Sequence, residues 1–368
     1  MKADDLQLYR TILQTFGPRL RPLGTYALLQ LLHALDLGTR GIDHLVYPGF
    51  SRLPLDRPVF ILGNPRSGTT FLHRFLLHTD AFAAFALWEL LLPAVSANRL
   101  LRGTIQRLAP LSPARYHSAA AHETGLRDVE TDELLTFFRY LEGPFLWSYF
   151  QAWQDRWDSP QARAVFNPAD EAPGAEERVL GHLEACWRRS LYIKRRPRVL
   201  AKGSTLALRI PTLLERYPGC RLIYMVRDPV ETIPSGISLI TGVLDRAYDA
   251  SRTARADDRR RYHENLYQAS CHLLRDFHQL WRSGAIPAER LRIVRYPDLM
   301  HDLERTLAAL VEFCELQPPP AFLERVREQA DRQRQHQSQH RYAPEQFGLT
   351  AERIRRDLRF VYEDYGLE

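Results

Sequence analysis

A loop of small and hydroxyl-bearing residues follows the apolar run 58–62, and its composition is typical of a phosphate-binding loop. It reads Gly63-Asn64-Pro65-Arg66-Ser67-Gly68-Thr69-Thr70, and an apolar helical pattern begins at Phe71. A strand, a loop of small residues and a helix in succession aim backbone N–H groups and the positive helix end at an anion. Gly68 allows close approach of the backbone, and the Thr69 and Thr70 hydroxyls add donors. Turns of this kind also occur without ligands, so the loop alone leaves a purely structural role open.

The loop differs from an ATP-binding loop at one position. It resembles the Walker A pattern, but Thr69 stands where that pattern has its lysine. A nucleoside triphosphatase without this lysine lacks a contact to the β- and γ-phosphates. The loop therefore fits a phosphate group, whereas ATP hydrolysis is disfavoured.

A second candidate anion site follows the apolar run 221–226. Arg227 stands at the end of this run, and Ser235 comes eight residues later, two helical turns along the next predicted helix. A guanidinium at a strand end and a hydroxyl at that spacing can point at one anion. The alternative is that Arg227 pairs with Asp228 or Glu231.

The apolar runs that precede these residues predict a parallel sheet. Four short runs, 58–63, 199–201, 221–226 and 291–296, read as buried strands, and helical patterns such as 205–216 separate them. This alternation predicts an α/β protein, with a P-loop-like three-layer fold, a central parallel sheet, flanking helices and a helical cap.

The remaining segments predict mainly helices. Residues 4 to about 47 read as amphipathic helices broken at Gly17-Pro18 and at Pro22-Leu23-Gly24. We expect an N-terminal helical segment at 1–55 and one domain at 56–368 with a helical cap inserted at about 84–195. Aromatic residues are dense between Phe137 and Trp157. Core packing is the commoner explanation, and a lining for a bulky apolar acceptor is the functional one.

Together the two anion motifs resemble those of the sulfotransferases that use 3′-phosphoadenosine 5′-phosphosulfate (PAPS), in particular the branch of bacterial and tyrosylprotein enzymes. The resemblance runs from about residue 57 to the end and is loose in the helical cap. It implies that Arg227 and Ser235 bind the 3′-phosphate of PAPS. It also implies that the 5′-phosphosulfate is bound by Pro65, Arg66, Ser67, Gly68, Thr69 and Thr70.

Further segments extend the resemblance along the chain. Lys202 follows an intervening strand, and Tyr217-Pro218 matches a turn that the family carries further on. Tyr296 matches a family tyrosine that contacts the adenine, and Arg341-Tyr342 lies in a segment similar to the one that closes over the nucleotide.

The resemblance also implies catalytic roles. Arg66 and Lys202 are suited to meet the charge on the transferred sulfuryl group. Glu89 lies where the tyrosylprotein branch has its general base, and His122 is the second candidate for that base. The alternatives are that Glu89 caps a helix and that His122 is a surface residue.

Composition limits the remaining possibilities. The net charge of +6 fits an anionic ligand but is too small to argue for nucleic acid. The four cysteines are widely spaced, and no ligand cluster suggests a metal, which this chemistry does not require. The acidic N-terminus and the lack of a long apolar run predict a cytoplasmic enzyme without a transmembrane segment. We expect a small-molecule or peptide acceptor; a P-loop nucleotide kinase or ATPase and a non-catalytic nucleotide-binding protein are the alternatives.

Overall fold

A parallel sheet of five strands forms the centre of one of two compact units in this chain. The computed structural model describes residues 3–17, 20–105, 107, 125–129, 132–140, 143–335 and 343–367. The sheet unit comprises Leu53–Ala84, Ser190–Ser235 and Cys271–Glu368, and the helical unit comprises Met1–Arg52, Phe85–Arg189 and Gly236–Ser270.

The sheet has the strand order β2-β3-β1-β4-β5, and every neighbouring pair is parallel. The strands are β1 (Val59–Gly63), β2 (Phe82–Ala83), β3 (Arg198–Lys202), β4 (Arg221–Val226) and β5 (Leu291–Arg295). All five residues of the central strand β1 are buried, as expected of a parallel strand that is covered on both faces. The predicted α/β class with a central parallel sheet is confirmed.

The α-helices follow in chain order, and 3-10 helices connect several of them. They are α1 (Ala3–Phe16), α2 (Leu20–Val46), α3 (Thr69–Leu77), α4 (Leu87–Leu91), α5 (Val95–Leu101), α6 (Gly143–Tyr149), α7 (Pro160–Phe166), α8 (Ala175–Lys194), α9 (Ile210–Arg216), α10 (Pro229–Tyr248), α11 (Ala250–Thr253), α12 (Ala256–Arg282), α13 (Tyr296–His301), α14 (Leu303–Phe313), α15 (Pro320–Gln335), α16 (Ala351–Asp357) and α17 (Arg359–Tyr365). The 3-10 helices are Pro48–Arg52, Glu133–Tyr140, Gln151–Trp153, Pro168–Asp170, Thr205–Arg209, Ala288–Arg290 and Pro344–Phe347.

An apolar core holds the helix after β1 against the sheet. Leu72 and Leu76 of α3 are buried in one cluster with Val59 and Ile61 of β1, and Leu303 of α14 belongs to the same cluster. The helix spacing of Leu72 and Leu76 places both on one face. This packing fixes the start of α3 at the carboxyl end of β1.

The helical unit buries the aromatic residues of the predicted cap. Trp147, Phe150 and Trp153 lie in the core. The Trp153 ring stacks on Tyr262 with the ring centroids 3.9 Å apart, and the Trp147 ring meets Phe166 edge-on at 5.1 Å. For these residues the packing explanation is the one that the structure supports.

Several predicted boundaries differ from the structure. The break at Gly17 is present, but the predicted break at Pro22-Leu23-Gly24 is wrong, because α2 runs from Leu20 to Val46. Pro22 falls in the first turn of α2, where a missing N–H removes no intrahelical hydrogen bond. The predicted helix 205–216 begins as a 3-10 helix and becomes α9 at Ile210, with a proline in the first turn. The strand β2 was not predicted.

Candidate active site

The predicted anion-binding residues lie at one edge of the sheet. The strands β3, β1 and β4 are neighbours and run parallel, so their carboxyl ends meet at the same edge. Lys202 is the last residue of β3, the loop 64–68 follows β1, and Arg227 follows β4. In open parallel sheets, ligands bind outside the carboxyl ends of the strands.

The loop after β1 is held by its own hydrogen bonds and ends at an uncapped helix. The Ser67 hydroxyl donates to the Asn64 carbonyl over 2.7 Å, and the Ser67 N–H donates to the same oxygen over 3.2 Å. Gly68 is the N-cap of α3 and offers no side-chain cap. The first N–H groups of a helix lack intrahelical acceptors and carry its positive dipole end. The start of α3 is therefore suited to hold an anion.

Two glycines of this loop are required by close packing. Gly68 has a φ of 98°, and a Cβ there would lie 2.9 Å from Cδ2 of Tyr296. Gly63 has a φ of 132°, and its Cβ would lie 2.5 Å from the carbonyl oxygen of Met225. Neither site accepts a side chain without movement of its neighbours, so the loop can lie directly against β4 and Tyr296.

A buried lysine from the neighbouring strand lies at the start of α3. The Nζ of Lys202 donates to Oγ1 of Thr70 over 2.8 Å, and Lys202 is buried. The loop lacks the Walker lysine, yet a cation stands beside the first turn of the same helix. This position suits the predicted role of Lys202 toward a charged group held by the loop.

The loop arginine and the second anion motif lie in contact. Nε of Arg66 donates to Oγ of Ser235 over 3.0 Å, and Nη1 of Arg227 donates to the Arg66 carbonyl over 3.3 Å. The guanidinium of Arg227 lies 3.9 Å from the centre of the Tyr296 ring. The structure therefore brings Arg66, Arg227, Ser235 and Tyr296 together in the sheet unit.

Arg227 also pairs with Glu231, which is the alternative that the sequence left open. Its Nε and Nη2 lie 2.8 and 2.7 Å from Oε2 of Glu231. Glu231 is more than half exposed, and an ion pair in such a position contributes little to stability. A phosphate with several acceptor oxygens is a stronger partner for the arginine fork than this single oxygen.

Tyr362 supports the segment after β4 and was missed by the sequence analysis. Its hydroxyl donates to Oδ1 of Asp228 over 2.6 Å, and the N–H of Val230 donates to the same oxygen over 2.8 Å. Burial, followed by the hydrogen bond to Asp228, raises the pKa of Tyr362 well above its ordinary value. No local sequence signal connects these residues, which lie 134 positions apart.

Glu89 lies in the helical unit, in the first turn of α4. Its Oε2 accepts the N–H of Ala86 over 2.8 Å, and its Oε1 accepts Nδ2 of Asn98 over 3.0 Å. The carboxylate is buried and caps the start of its own helix. The other candidate base, His122, lies outside the described residues, as do Arg341 and Tyr342.

Comparisons with known proteins agree with this architecture. The model of the sulfotransferase family matches residues 58–320, well over half of the chain. Among curated proteins, the omega-hydroxy-beta-dihydromenaquinone-9 sulfotransferases Stf3 of Mycobacterium bovis and Mycobacterium tuberculosis are each 26% identical over 291 residues. These matches cover 74% of this chain and 66% of each relative, slightly less than two thirds of the relatives' length.

Two solved structures share the fold. The crystal structure of sulfotransferase STF9 from Mycobacterium avium matches with a TM-score of 0.67 and 17% identity, over 100% of this chain and 87% of that one. Sulfotransferase STF1 from Mycobacterium tuberculosis H37Rv matches with a TM-score of 0.62 and 16% identity, over 97% of this chain and 93% of that one. At these identities the likeness is one of fold.

Proposed function

The chain belongs to the sulfotransferase family, and from that premise we propose that it transfers a sulfuryl group from PAPS to a hydroxyl or amine of a small-molecule acceptor. The observation that carries this proposal is the meeting of two anion-binding features at one sheet edge. One is the glycine loop with Lys202 at the start of α3, and the other is Arg227 with Ser235.

PAPS presents two anionic groups, and the site offers a separate set of donors for each. In this proposal the 5′-phosphosulfate lies on the loop and the first turn of α3, where N–H groups and two threonine hydroxyls are available. The 3′-phosphate lies between Arg227 and Ser235. The ring of Tyr296, beside Gly68 and Arg227, offers a face for the adenine.

The proposed reaction is an in-line displacement at sulfur. The acceptor oxygen forms a bond to sulfur while the bond from sulfur to the bridging oxygen of the 5′-phosphate breaks. The electron pair of that bond stays with the phosphate, which leaves as 3′-phosphoadenosine 5′-phosphate (PAP). Arg66 and Lys202 stabilise the charge on the sulfuryl oxygens and on the leaving phosphate.

The acceptor must lose its proton, and we assign this proton to Glu89. Support comes from its position after the loop and from its buried carboxylate, which two donors hold in place. A base fixed in this way needs no reorientation when the proton arrives. His122 is the second candidate for the same role.

We propose that the acceptor is an apolar molecule that bears a hydroxyl group. The curated relatives are named for a hydroxylated menaquinone, which joins a hydroxyl to a long apolar body. A nucleotide kinase or ATPase is not favoured, because Thr69 occupies the position of the Walker lysine.

Isothermal titration with PAP and with 5′-AMP tests the donor. We expect PAP to bind at least about tenfold more tightly, because the 3′-phosphate adds charge-assisted hydrogen bonds. Equal affinities would refute the assignment of Arg227 and Ser235. Magnesium-dependent ATP turnover by the purified protein, without PAP binding, would replace the proposal with the kinase alternative.

A Glu89→Gln variant tests the base. Glutamine keeps the shape of the side chain but does not accept the acceptor's proton. Its amide oxygen can accept the N–H of Ala86, and its NH2 group can donate to Asn98 once the Asn98 amide is turned over. We expect kcat to fall about 10²- to 10⁴-fold, with PAP affinity unchanged. The control is Glu133→Gln, which alters another buried carboxylate of the helical unit, bonded to Nε1 of Trp187. Full turnover by Glu89→Gln would remove Glu89 from the mechanism and leave His122 as the candidate.

A further inference from the structure

The helix α2 turns an apolar face to solvent. Among the α2 residues with described side chains, those that are exposed are apolar or glycine, with His44 as the exception. Leu31 is 55% exposed and Leu45 is 84% exposed. The exposed set is Gly24, Ala27, Leu28, Leu31, Ala34, Leu35, Leu37, Gly38, Gly41, Ile42, His44, Leu45 and Val46.

Both aspartates of α2 are buried in the helical unit. Asp36 is fully buried and pairs with Arg40 over 3.0 Å. Asp43 is also fully buried and accepts Nε of Arg189 and the N–H groups of Val95 and Ser96, each over 2.8 Å. A surface helix of a water-exposed protein has the opposite arrangement, with apolar residues inside and charges outside. The polarity of α2 is therefore inverted.

The apolar face is wide as well as long. Leu37 and Val46 are nine residues apart, about two and a half turns, so they lie on opposite edges of the helix. Apolar positions fill the arc between them, which covers about half of the circumference over about 33 Å of length. A single partner helix covers a narrower seam of a and d positions. A flat apolar surface, such as the boundary of a bilayer, matches a face of this width.

Two exposed arginines lie on or directly after α5, a helix that packs near the carboxyl end of α2. Asp43 of α2 caps the start of α5, and the Arg99 guanidinium lies 4.5 Å from the centre of the Tyr47 ring, just after α2. Arg102 is exposed, and Nη2 of Arg127 donates to its carbonyl over 3.3 Å. On the same short helix Leu100 is 77% exposed. Neither α2 nor α5 exposes a carboxylate in the part of the chain described here.

We propose that α2 docks this protein on an anionic lipid bilayer. The helix lies in the plane of the interface, with Leu28, Leu31, Leu35, Ile42 and Leu45 among the acyl chains. Arg99 and Arg102 contact anionic headgroups, since cationic side chains gain free energy close to a negatively charged surface. Docking of this kind is peripheral, and no helix in the described ranges is long and apolar enough to cross a membrane. The link to an apolar acceptor rests on the proposed function, whereas lipid binding does not.

Vesicle co-sedimentation tests the proposal. The probes are vesicles of phosphatidylcholine with phosphatidylglycerol, and vesicles of phosphatidylcholine alone. We expect the wild-type chain to bind the anionic vesicles at least about tenfold more tightly. The variant with Leu31→Ser, Leu35→Ser and Leu45→Ser should lose at least about tenfold in binding, because three apolar side chains no longer enter the bilayer.

A matched control uses an exposed leucine that belongs to neither α2 nor α5. Leu323 on α15, in the sheet unit, is 51% exposed, comparable to Leu31. Its replacement by serine should change vesicle binding by less than about twofold, since an exposed apolar side chain that stands singly is ordinary on a protein surface. An Arg99→Glu, Arg102→Glu variant should lose the preference for anionic vesicles and keep its fold, because both side chains are exposed.

Three results would overturn the proposal. The first is no vesicle binding by the wild-type chain, and the second is equal binding by the triple leucine variant. The third is a wild-type dimer in sedimentation velocity that the triple leucine variant converts to a monomer, which would make the face a contact between two copies. PAP affinity, measured on every variant, separates the two proposals: lost PAP binding with retained vesicle binding would refute the proposed function and leave the docking surface intact.

Discussion

A Gly68→Ala substitution tests whether the loop lies against Tyr296 as the structure has it. The φ of 98° at Gly68 is left-handed, and an alanine in that region costs about 1–2 kcal/mol of folding stability. The added Cβ would also lie 2.9 Å from Cδ2 and 3.2 Å from Cε2 of Tyr296, so the ring must move. That ring lies under the Arg227 guanidinium at 3.9 Å, a contact worth about 0.5–1 kcal/mol. We therefore expect a total loss of about 1.5–3 kcal/mol in the free energy of unfolding.

Gly284→Ala separates the backbone cost from the contact. Gly284 has a φ of 74°, and its Cβ would meet nothing within 4 Å. This variant should lose only the backbone contribution of about 1–2 kcal/mol and should bind PAP as the wild type does. Gly68→Ala should bind PAP at least about tenfold more weakly, because it displaces the ring between the loop and Arg227.

Chemical denaturation and isothermal titration on the wild type and both variants give the required values. The reasoning would be refuted if Gly68→Ala and Gly284→Ala were equal in both stability and PAP affinity. That result would mean that the Tyr296 ring does not lie against the loop.

Three further perturbations address single groups. Lys202→Met keeps the apolar stem in its buried position and removes the charge, so kcat/KM should fall about 10²- to 10³-fold. A fall of less than about threefold in steady-state kinetics would exclude Lys202 from charge stabilisation. Arg227→Ala should weaken PAP binding at least about tenfold and leave 5′-AMP affinity nearly unchanged, and a parallel loss for both nucleotides in titrations would contradict its role at the 3′-phosphate. Burial, then Arg259, lowers the pKa of His263 to about 4. As the pH falls, His263 is therefore protonated in the unfolded chain before it is protonated in the folded chain. The free energy of unfolding decreases between about pH 6.5 and pH 4, by up to about 3 kcal/mol. Denaturation of His263→Gln at pH 7 and pH 4.5 should show a smaller difference than the wild type, and an identical pH dependence would contradict the assignment.

The strands could be predicted where burial is complete and were missed where they are short. The runs 59–63 and 221–226 are continuous and apolar because both faces of a central parallel strand are covered. The strand β2 has only two residues, too few for any periodic signal. Pro22 predicted a break, but its effect depends on its place within the helix, and tertiary packing decides where α2 begins.

The site was predictable where chemistry follows a strand end directly. Lys202 and Arg227 come at the ends of β3 and β4, so the sequence places them at the same edge of the sheet. The contact of Arg66 with Ser235 joins residues 169 positions apart. Contacts at such separations depend on how helices pack on the sheet, and local patterns carry no information about them. The inverted polarity of α2 was missed for a related reason, because periodicity shows that a helix is amphipathic but not which face is buried.

Transfer of a label from PAPS is the most direct test of the central claim. The purified chain is incubated with PAPS labelled in its sulfuryl group and with a long-chain primary alcohol, and the products are separated and identified by mass spectrometry. We predict a labelled sulfate ester and an equal amount of PAP, and we expect Lys202→Met to form both about 10²- to 10³-fold more slowly. The contrary result has two parts. The chain binds PAP and releases it from PAPS at a rate that no hydroxyl or amine acceptor changes, and no sulfated product forms.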